Sequence, residues 1–286
     1  MFPLVPDPMT AILTASRARA LLAALVFTAF TACSDGDSGH VYTEGNYDSV
    51  MRLAAGARSS GDPINALNIY RKAREMRPSA IEPIIGLAGA MVELGAYEEA
   101  VAAYQDALKI SPSHPDALRG LGSVFIALDQ PELALAQYDA ALRNAPDDPR
   151  SLNGRGVALD LMGRHEEARA TYKVASEKAP QFVPARNNLG LSLIVGGYYD
   201  EAIAILTPIT NASPRVRSNL ALAYGISGDM AQAGRWLRSD YDDESSARQL
   251  VYFGQLRTLS IPERAASLRN NPLYFPRPAT PRRPPP

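Results

Sequence analysis

The sequence is poor in the residues that build metal sites and disulfide frameworks. It has one Cys and three His among 286 residues, whereas such sites need several of these residues at set spacings. An excess of one charge is lacking too, because 29 Lys and Arg stand against 30 Asp and Glu, for a formal net charge of −1. A near-neutral chain has little to hold a polyanion. These absences argue against a metal centre, and against nucleic-acid binding as the main task.

The apolar run near the amino terminus is too short to span a bilayer. Ala20 to Phe30 is 11 residues long and follows Arg17 and Arg19, whereas a spanning helix needs about 20 apolar residues. This length and basic flank are typical of the apolar core of a secretory signal. The sequence therefore predicts an exported chain, whose translation start is Met1 or Met9.

The only Cys follows this run directly. The stretch Phe30-Thr31-Ala32-Cys33-Ser34 resembles a bacterial lipoprotein processing box, which implies that residues 1–32 are a removed signal and that Cys33 is the lipid attachment site. An ordinary cleaved signal with an incidental Cys is the alternative. Ser34, rather than Asp, resembles the signature for release to the outer membrane. Residues 33–46 are small and polar, which predicts a flexible tether.

The rest of the chain repeats with a period of 34 residues. Five prolines are each separated by 34 residues: Pro78, Pro112, Pro146, Pro180 and Pro214. Ala and Tyr residues recur in the same frame. Within a unit, Leu118, Leu121, Gly122 and Phe125 have the i, i+3, i+4, i+7 spacing of one helical face. Pro after the second apolar pattern and one turn residue in each unit predict two helices per unit. The turn residues are Gly61, Gly95, Asp129, Gly163, Gly197 and Gly228.

This pattern resembles the tetratricopeptide repeat, which has the same period. The implied fold is an all-α superhelical solenoid of helix-turn-helix units. We expect six repeats over residues 47–240, with a shortened fifth, then a helical cap at 241–271 and a Pro-rich tail at 272–286. Arg155 stands where the other units have Leu, so repeat four is expected either to be looser or to direct that side chain to the surface.

The first helices of stacked helix pairs line one face, which is the default surface for a partner. Outward positions on these helices are expected to include Arg119, Asn153, Asn187, Asn188 and Asn219. Side-chain amides both donate and accept hydrogen bonds, so a row of them can bind the backbone of an extended peptide. The row is similar to the asparagine ladder of peptide-binding tetratricopeptide proteins. The alternative is that these Asn have no ligand and that Arg119 is a solvated charge.

Motifs for catalysis are lacking. The sequence has no glycine-rich phosphate loop and no Ser or Cys nucleophile motif, and His40, His114 and His165 are expected to be solvated loop residues. The chain is therefore predicted to be no enzyme, to need no cofactor and to bind no small-molecule substrate. Chemistry concealed in the C-terminal segment would be the enzymatic alternative.

A lipobox, six repeats and the stretch from Ser213 to Asp229, continuing to Asp240-Tyr-Asp-Asp243, together resemble the TadD-like lipoproteins of tight-adherence (Flp) pilus assembly. The resemblance implies a periplasm-facing, lipid-anchored protein of the outer membrane. Its partners would be proteins of the pilus machine, and it would help to assemble or localise the secretin. Other adaptor lipoproteins remain open, either pilotin-like proteins of type IV pili or tethers for cell-wall hydrolases.

Overall fold

The computed structural model describes residues 46–271 and residue 274, which lie in one compact unit, Glu44–Pro286. Cys33, the residues before it, most of the tether and nearly all of the Pro-rich tail lie outside the described residues. The described part contains fourteen α-helices and one 3₁₀ helix and has no strand. The predicted all-α class is confirmed. No helix in this part is long and apolar enough to cross a bilayer.

Six helix pairs follow one another along the chain. We number the helices in chain order, and the first and second helices of the pairs are α1 Tyr47–Ser59 and α2 Pro63–Met76, α3 Glu82–Glu93 and α4 Tyr97–Ile110, α5 Pro115–Ala127 and α6 Pro131–Asn144, α7 Pro149–Leu161 and α8 His165–Lys178, α9 Val183–Gly196 and α10 Tyr199–Leu206, and α11 Pro214–Ser227 and α12 Met230–Leu237. Each helix packs on the next, and first helices of neighbouring pairs also touch.

The turn inside each pair needs one residue with positive φ. The six residues in this conformation are the predicted turn residues, five glycines and Asp129 at φ 57°. Glycine has no Cβ, so it adopts this backbone at no steric cost, and Asp is among the few other residues that tolerate it. The turn chemistry therefore repeats in step with the helices.

Proline marks the ends of the second helices. Pro78, Pro112, Pro146 and Pro180 each lie two residues beyond such a helix. Pro214 differs, because it is the first residue of α11. The shortened fifth unit explains this difference. Its second helix, α10, stops at Leu206 and a 3₁₀ helix, Thr207–Ala212, follows, since Pro208 has no N–H to continue the α-helical hydrogen bonds.

Two further helices cover the C-terminal end of the stack. They are α13 Asp243–Arg257 and α14 Ile261–Arg269. α13 packs on α11 and α12, while α14 returns to α9. Phe253 and Leu256 of α13 are completely buried. Arg264 of α14 donates to the carbonyl oxygens of Leu256 (3.1 Å) and Leu259 (3.0 Å), which satisfies backbone groups at the end of α13 that lack a helical partner.

Candidate functional site

The position one residue before Leu87, Leu121 and Arg155, on the first helices of repeats two to four, points into the contact with the preceding repeat. A Cβ added to Gly86, Gly120 or Gly154 would come 2.4, 2.3 and 2.3 Å from the ring of the Tyr in the preceding second helix. The expectation that this position faces outward is therefore wrong for these repeats. It changes to Asn in repeats five and six. Tyr172, on the second helix before repeat five, lies against Gly156 of its own repeat. The second helix before repeat six has Leu206 at the position of the Tyr.

The four predicted Asn form one chain of hydrogen bonds across α7, α9 and α11. Nδ2 of Asn219 donates to Oδ1 of Asn187 at 2.9 Å. Nδ2 of Asn187 donates to Oδ1 of Asn188 at 3.4 Å. Nδ2 of Asn188 in turn donates to Oδ1 of Asn153 at 2.9 Å. The structure thus brings these residues together, and their amides first satisfy one another.

The chain of amides runs from the interior toward the surface. Asn219 and Asn187 are 1% and 6% exposed, so the expectation that they face outward is wrong. They lie where neighbouring first helices touch, and a peptide cannot reach a buried amide without moving a helix. Asn188 and Asn153 are half-buried, and within the described residues Nδ2 of Asn153 donates no hydrogen bond. At the buried end, Oδ1 of Asn219 has no protein donor among these residues.

Arg119 lies on α5 and already has acidic partners. It bonds Asp148 at 3.0 Å and Asp116 at 2.5 Å, and its side chain is 21% exposed. Asp148 also accepts from the hydroxyl and the backbone N–H of Ser151. Burial opposes ionisation of Asp148, but Ser151 and the charge of Arg119 outweigh it and lower the pKa of this carboxyl below its ordinary value of 3.8. Arg119 therefore links repeat three to the start of α7.

Arg155 is held by two side-chain hydrogen bonds instead of extending freely into solvent. Its Nε donates to Asp139 at 2.7 Å and one terminal nitrogen donates to Thr171 at 2.7 Å. Asp139 belongs to α6, the second helix of repeat three, and Thr171 belongs to α8, the second helix of repeat four. The guanidinium thus takes the place of a buried Leu by joining three helices through polar contacts.

A buried polar cluster at the turn side of repeats four and five was not predicted. Asp160, 9% exposed, faces Nδ1 of His165 at 2.8 Å and accepts from Ser192 at 3.1 Å. His165 is thus half-buried and paired at the start of α8, not solvated in a loop. His114 does lie in the loop before α5, but it is half-buried and its Nδ1 is buried. Asp160 stands where the preceding repeat has Ile126. This carboxylate at an apolar position of the repeat was the feature of the sequence that could have indicated the cluster. The Ser bonds the carboxylate rather than the His, so the cluster lacks the nucleophile–base contact of a hydrolase.

The stretch that carries the resemblance to pilus lipoproteins joins repeat six to the cap. Arg217 makes two hydrogen bonds with the carboxylate of Asp240, at 2.7 and 2.5 Å. The hydroxyls of Ser218 and Tyr241 lie 3.2 Å apart. The carboxylate of Asp242 then accepts the N–H of Ser245 at the start of α13. These residues anchor the last repeat, and residues 46–271 with Tyr274 hold no cluster of metal-ligating side chains.

Comparisons with known proteins agree with the repeat pattern. Models of the tetratricopeptide repeat match residues 57–103, 86–149 and 119–182. No curated protein matches the sequence. Among solved structures, PilW, described as a widely conserved type IV pilus biogenesis factor, is 18% identical with a TM-score of 0.63, and the match covers 71% of this chain and 97% of PilW.

Two other solved structures show the same arrangement of helices. A tetratricopeptide repeat protein from Parabacteroides merdae is 19% identical with a TM-score of 0.57, over 74% of this chain and 85% of that one. A chain of the Cut9–Hcn1 assembly of the APC/C is 18% identical with a TM-score of 0.65, over 72% of this chain and 42% of that one. At such identities the likeness concerns the fold alone.

Proposed function

Because this chain has tetratricopeptide repeats over residues 57–182 and the all-α solenoid fold that its sequence predicts, we propose that it is a lipid-anchored scaffold of pilus assembly. A tetratricopeptide scaffold mediates protein–protein interactions. The proposed protein faces the periplasm from the outer membrane and holds a component of the tight-adherence (Flp) pilus machine, with the secretin as the first candidate. It acts by binding rather than by catalysis.

The hydrogen-bonding state of Asn153 carries the proposal for the binding face. Asn153 is half-buried, its Nδ2 donates to no group in the described residues, and its Oδ1 accepts from Asn188. The amide is therefore oriented by its neighbours and still offers a donor. A backbone carbonyl of an extended peptide is the natural acceptor. The buried Asn187 and Asn219 support this amide from behind, and Arg119 flanks it one repeat away.

Location and pathway rest on other observations. The lipobox around Cys33 supports attachment to the outer membrane. The stretch from Ser213 to Asp243 supports the tight-adherence pilus, and the likeness to PilW in fold is compatible with it. The same likeness favours a pilotin-like role in a type IV pilus as the second candidate.

Capture of partners from cross-linked envelopes tests the binding face. Each hydrogen bond between a side-chain amide and a peptide backbone contributes about 0.5–1.5 kcal/mol to binding. Asn153→Ala combined with Asn188→Ala should therefore weaken capture about tenfold, which corresponds to about 1.4 kcal/mol of binding free energy. The matched control is Ser192→Ala, a buried polar residue of α9 that bonds Asp160 outside the chain of amides and that should lower the melting temperature and spare capture by the folded protein. Undiminished capture by the folded double variant would overturn the proposed face.

The identity of the captured proteins tests the pathway, and the mass of the chain tests the anchor. Secretin or other pilus components should be recovered, whereas cell-wall hydrolases would contradict the pilus assignment. The chain extracted from membranes should begin at an acylated Cys33, and Cys33→Ser should leave it unprocessed or soluble. An unacylated chain that begins at Ser34 or later would refute the anchor.

A further inference from the structure

The first helix of the stack exposes a residue that every later repeat with Leu at this position buries. Leu53 of α1 is 62% exposed. At the same position of later repeats, Leu87, Leu121, Leu189 and Leu220 are between 0% and 5% exposed. The residues are of one type, so the difference comes from their surroundings. Later first helices are covered by the second helix of the preceding repeat, whereas no described helix precedes α1.

Two neighbouring positions of α1 behave in the same way. Gly56 is exposed, with nothing within 4 Å of an added Cβ, while Ala90, Val124 and Ala158 at its position are completely buried. Ser49 is exposed too, although Ala117, Ser151 and Ala185 at its position are also completely buried. Ser49, Arg52, Leu53 and Gly56 thus form one exposed strip of α1, which we call the end face.

The opposite end of the stack has its own cover. α13 lies on α11, and a Cβ added to Gly225 would come 2.3 Å from the ring of Phe253. An aromatic ring on a glycine is the same contact that joins interior repeats. The C-terminal end of the last repeat is therefore already covered by α13, which argues against head-to-tail stacking of a second copy on that repeat.

The end face does not fit the second helix of an ordinary repeat. Interior repeats place Gly86, Gly120 or Gly154 under the Tyr of the preceding helix, because a Cβ at those positions would overlap the ring. Repeat one has Arg52 at this position. In repeat five, which has Asn188 at this position, Tyr172 of the preceding helix lies against Gly156 instead. The long, cationic side chain of Arg52 favours an acidic residue on the helix that covers α1.

We propose that the end face packs against the end face of a second copy of this chain. Asp48 and Arg52 are both exposed, and neither forms an ion pair within the described residues, although Arg52 donates to Oγ of Ser49 at 2.8 Å. A two-fold axis near Met51 with the two α1 helices antiparallel brings Arg52 of each copy to Asp48 of the other. It also places each Leu53 on the small Ser49 of the other copy, so the strip complements itself in charge and shape.

Cross-linking through one introduced thiol tests this pairing in the full chain. Cys33 is the only Cys, so Ser49→Cys in native envelopes should give a band of twice the chain mass with a short bis-maleimide reagent. The parent and Val251→Cys should give none, the latter because Val251, 64% exposed, lies on the helix that covers the other end. Absence of the dimer band, or a band that contains another protein, overturns the proposal.

Two further changes on the Ser49→Cys background test the contacts themselves. Leu53→Asp should reduce the yield of the dimer at least tenfold without loss of helicity, because Leu53 is exposed in the single chain. Asp48→Arg and Arg52→Asp should each reduce the yield, and the double exchange should restore it, since a two-fold pair keeps its charges complementary. An unchanged yield in Leu53→Asp, or no recovery in the double exchange, contradicts this interface. Neither result depends on the assignment to pilus assembly.

Discussion

At the scale of single residues, glycines decide how closely neighbouring repeats approach. Gly154 has no side chain, and the ring of Tyr138 occupies the place that a Cβ would take, with 2.3 Å between that Cβ and Cζ of the ring. Burial raises the pKa of the Tyr138 phenol, although its hydrogen bond with Ser123 counteracts this. The ring therefore stays neutral and serves as packing between repeats.

Gly154→Ala should destabilise the protein. Crowding by an added methyl group costs about 1–3 kcal/mol, which outweighs the gain of up to about 1 kcal/mol that Ala brings to a helix. The matched control is Gly254→Ala, also in a helix, whose Cβ would have its nearest neighbour at 4.0 Å. Thermal melting followed by circular dichroism should show a lower midpoint for Gly154→Ala alone. Equal midpoints for both variants would disprove the close contact.

The ion pair of Arg217 with Asp240 predicts a dependence on pH. The hydrogen bonds from Arg217 hold the pKa of Asp240 below its ordinary value of 3.8. The unfolded chain thus takes up the proton first, so this contribution to stability is present above the ordinary pKa. It is lost as the pH falls through the lower folded value.

Urea unfolding of the parent and of Asp240→Asn measures this effect. Near neutral pH the parent should be more stable by on the order of 1 kcal/mol. The difference should shrink as the buffer is made more acidic than about pH 4. A difference that stays constant across this acid range would show that the carboxylate charge contributes nothing.

At the scale of helices, buried alanines identify where two helices cross. Ala66, Ala100, Ala134, Ala168 and Ala202 occupy one position of the second helices and are all completely buried. Because protein interiors are close-packed, a larger side chain at these positions would require its neighbours to move. Arg155 shows the opposite case, in which a polar residue replaces Leu and three helices are held by hydrogen bonds.

Ala134→Glu should unfold or strongly destabilise the protein. An unpaired carboxylate buried in α6 costs several kcal/mol, in a domain whose total stability is of order 5–15 kcal/mol. Ala136→Glu is the matched control, because Ala136 belongs to the same helix and is exposed. Melting curves should separate the two variants clearly. If both melt with the parent, the frame of the repeats is misassigned.

At the scale of the whole molecule, stability should depend on position along the stack. The largest buried cluster extends from Leu159 to Tyr274 and joins the later repeats to the cap, whereas the first repeats have smaller clusters of their own. In a stack of this kind each repeat contacts chiefly its neighbours. Damage at one end should therefore remain near that end.

Phe253→Ala tests this locality. Loss of a completely buried Phe costs about 3–5 kcal/mol, so amide exchange measured by mass spectrometry should accelerate in repeats five and six and in the cap. Repeats one and two should be little affected. Val251→Ala, at a position 64% exposed on the same helix, should leave the whole exchange pattern unchanged. Uniform acceleration along the chain would instead indicate one cooperative unit.

The sequence by itself determined the period, the helix pairs and the turns. These features depend on interactions within about one repeat. All six repeats have a residue suited to positive φ in the turn and Ala at the crossing, and the first four have Pro two residues beyond the second helix. The fold class and the positions of Asn153, Asn187, Asn188 and Asn219 on neighbouring first helices could therefore be predicted. The lipobox at Cys33 stays a sequence prediction, since it lies outside the described residues.

Only the tertiary structure decided which polar side chains face solvent. Asn187 and Asn219 occupy positions that we expected to face outward, yet neighbouring first helices bury them, because exposure depends on what the folded stack places against each position. Asp160, His165 and Ser192 meet across two repeats, a contact that no local pattern contains. The exposure of Leu53 has the same origin. Leu is the residue that later repeats bury at this position. Leu53 is uncovered only because no helix precedes α1 within the described chain.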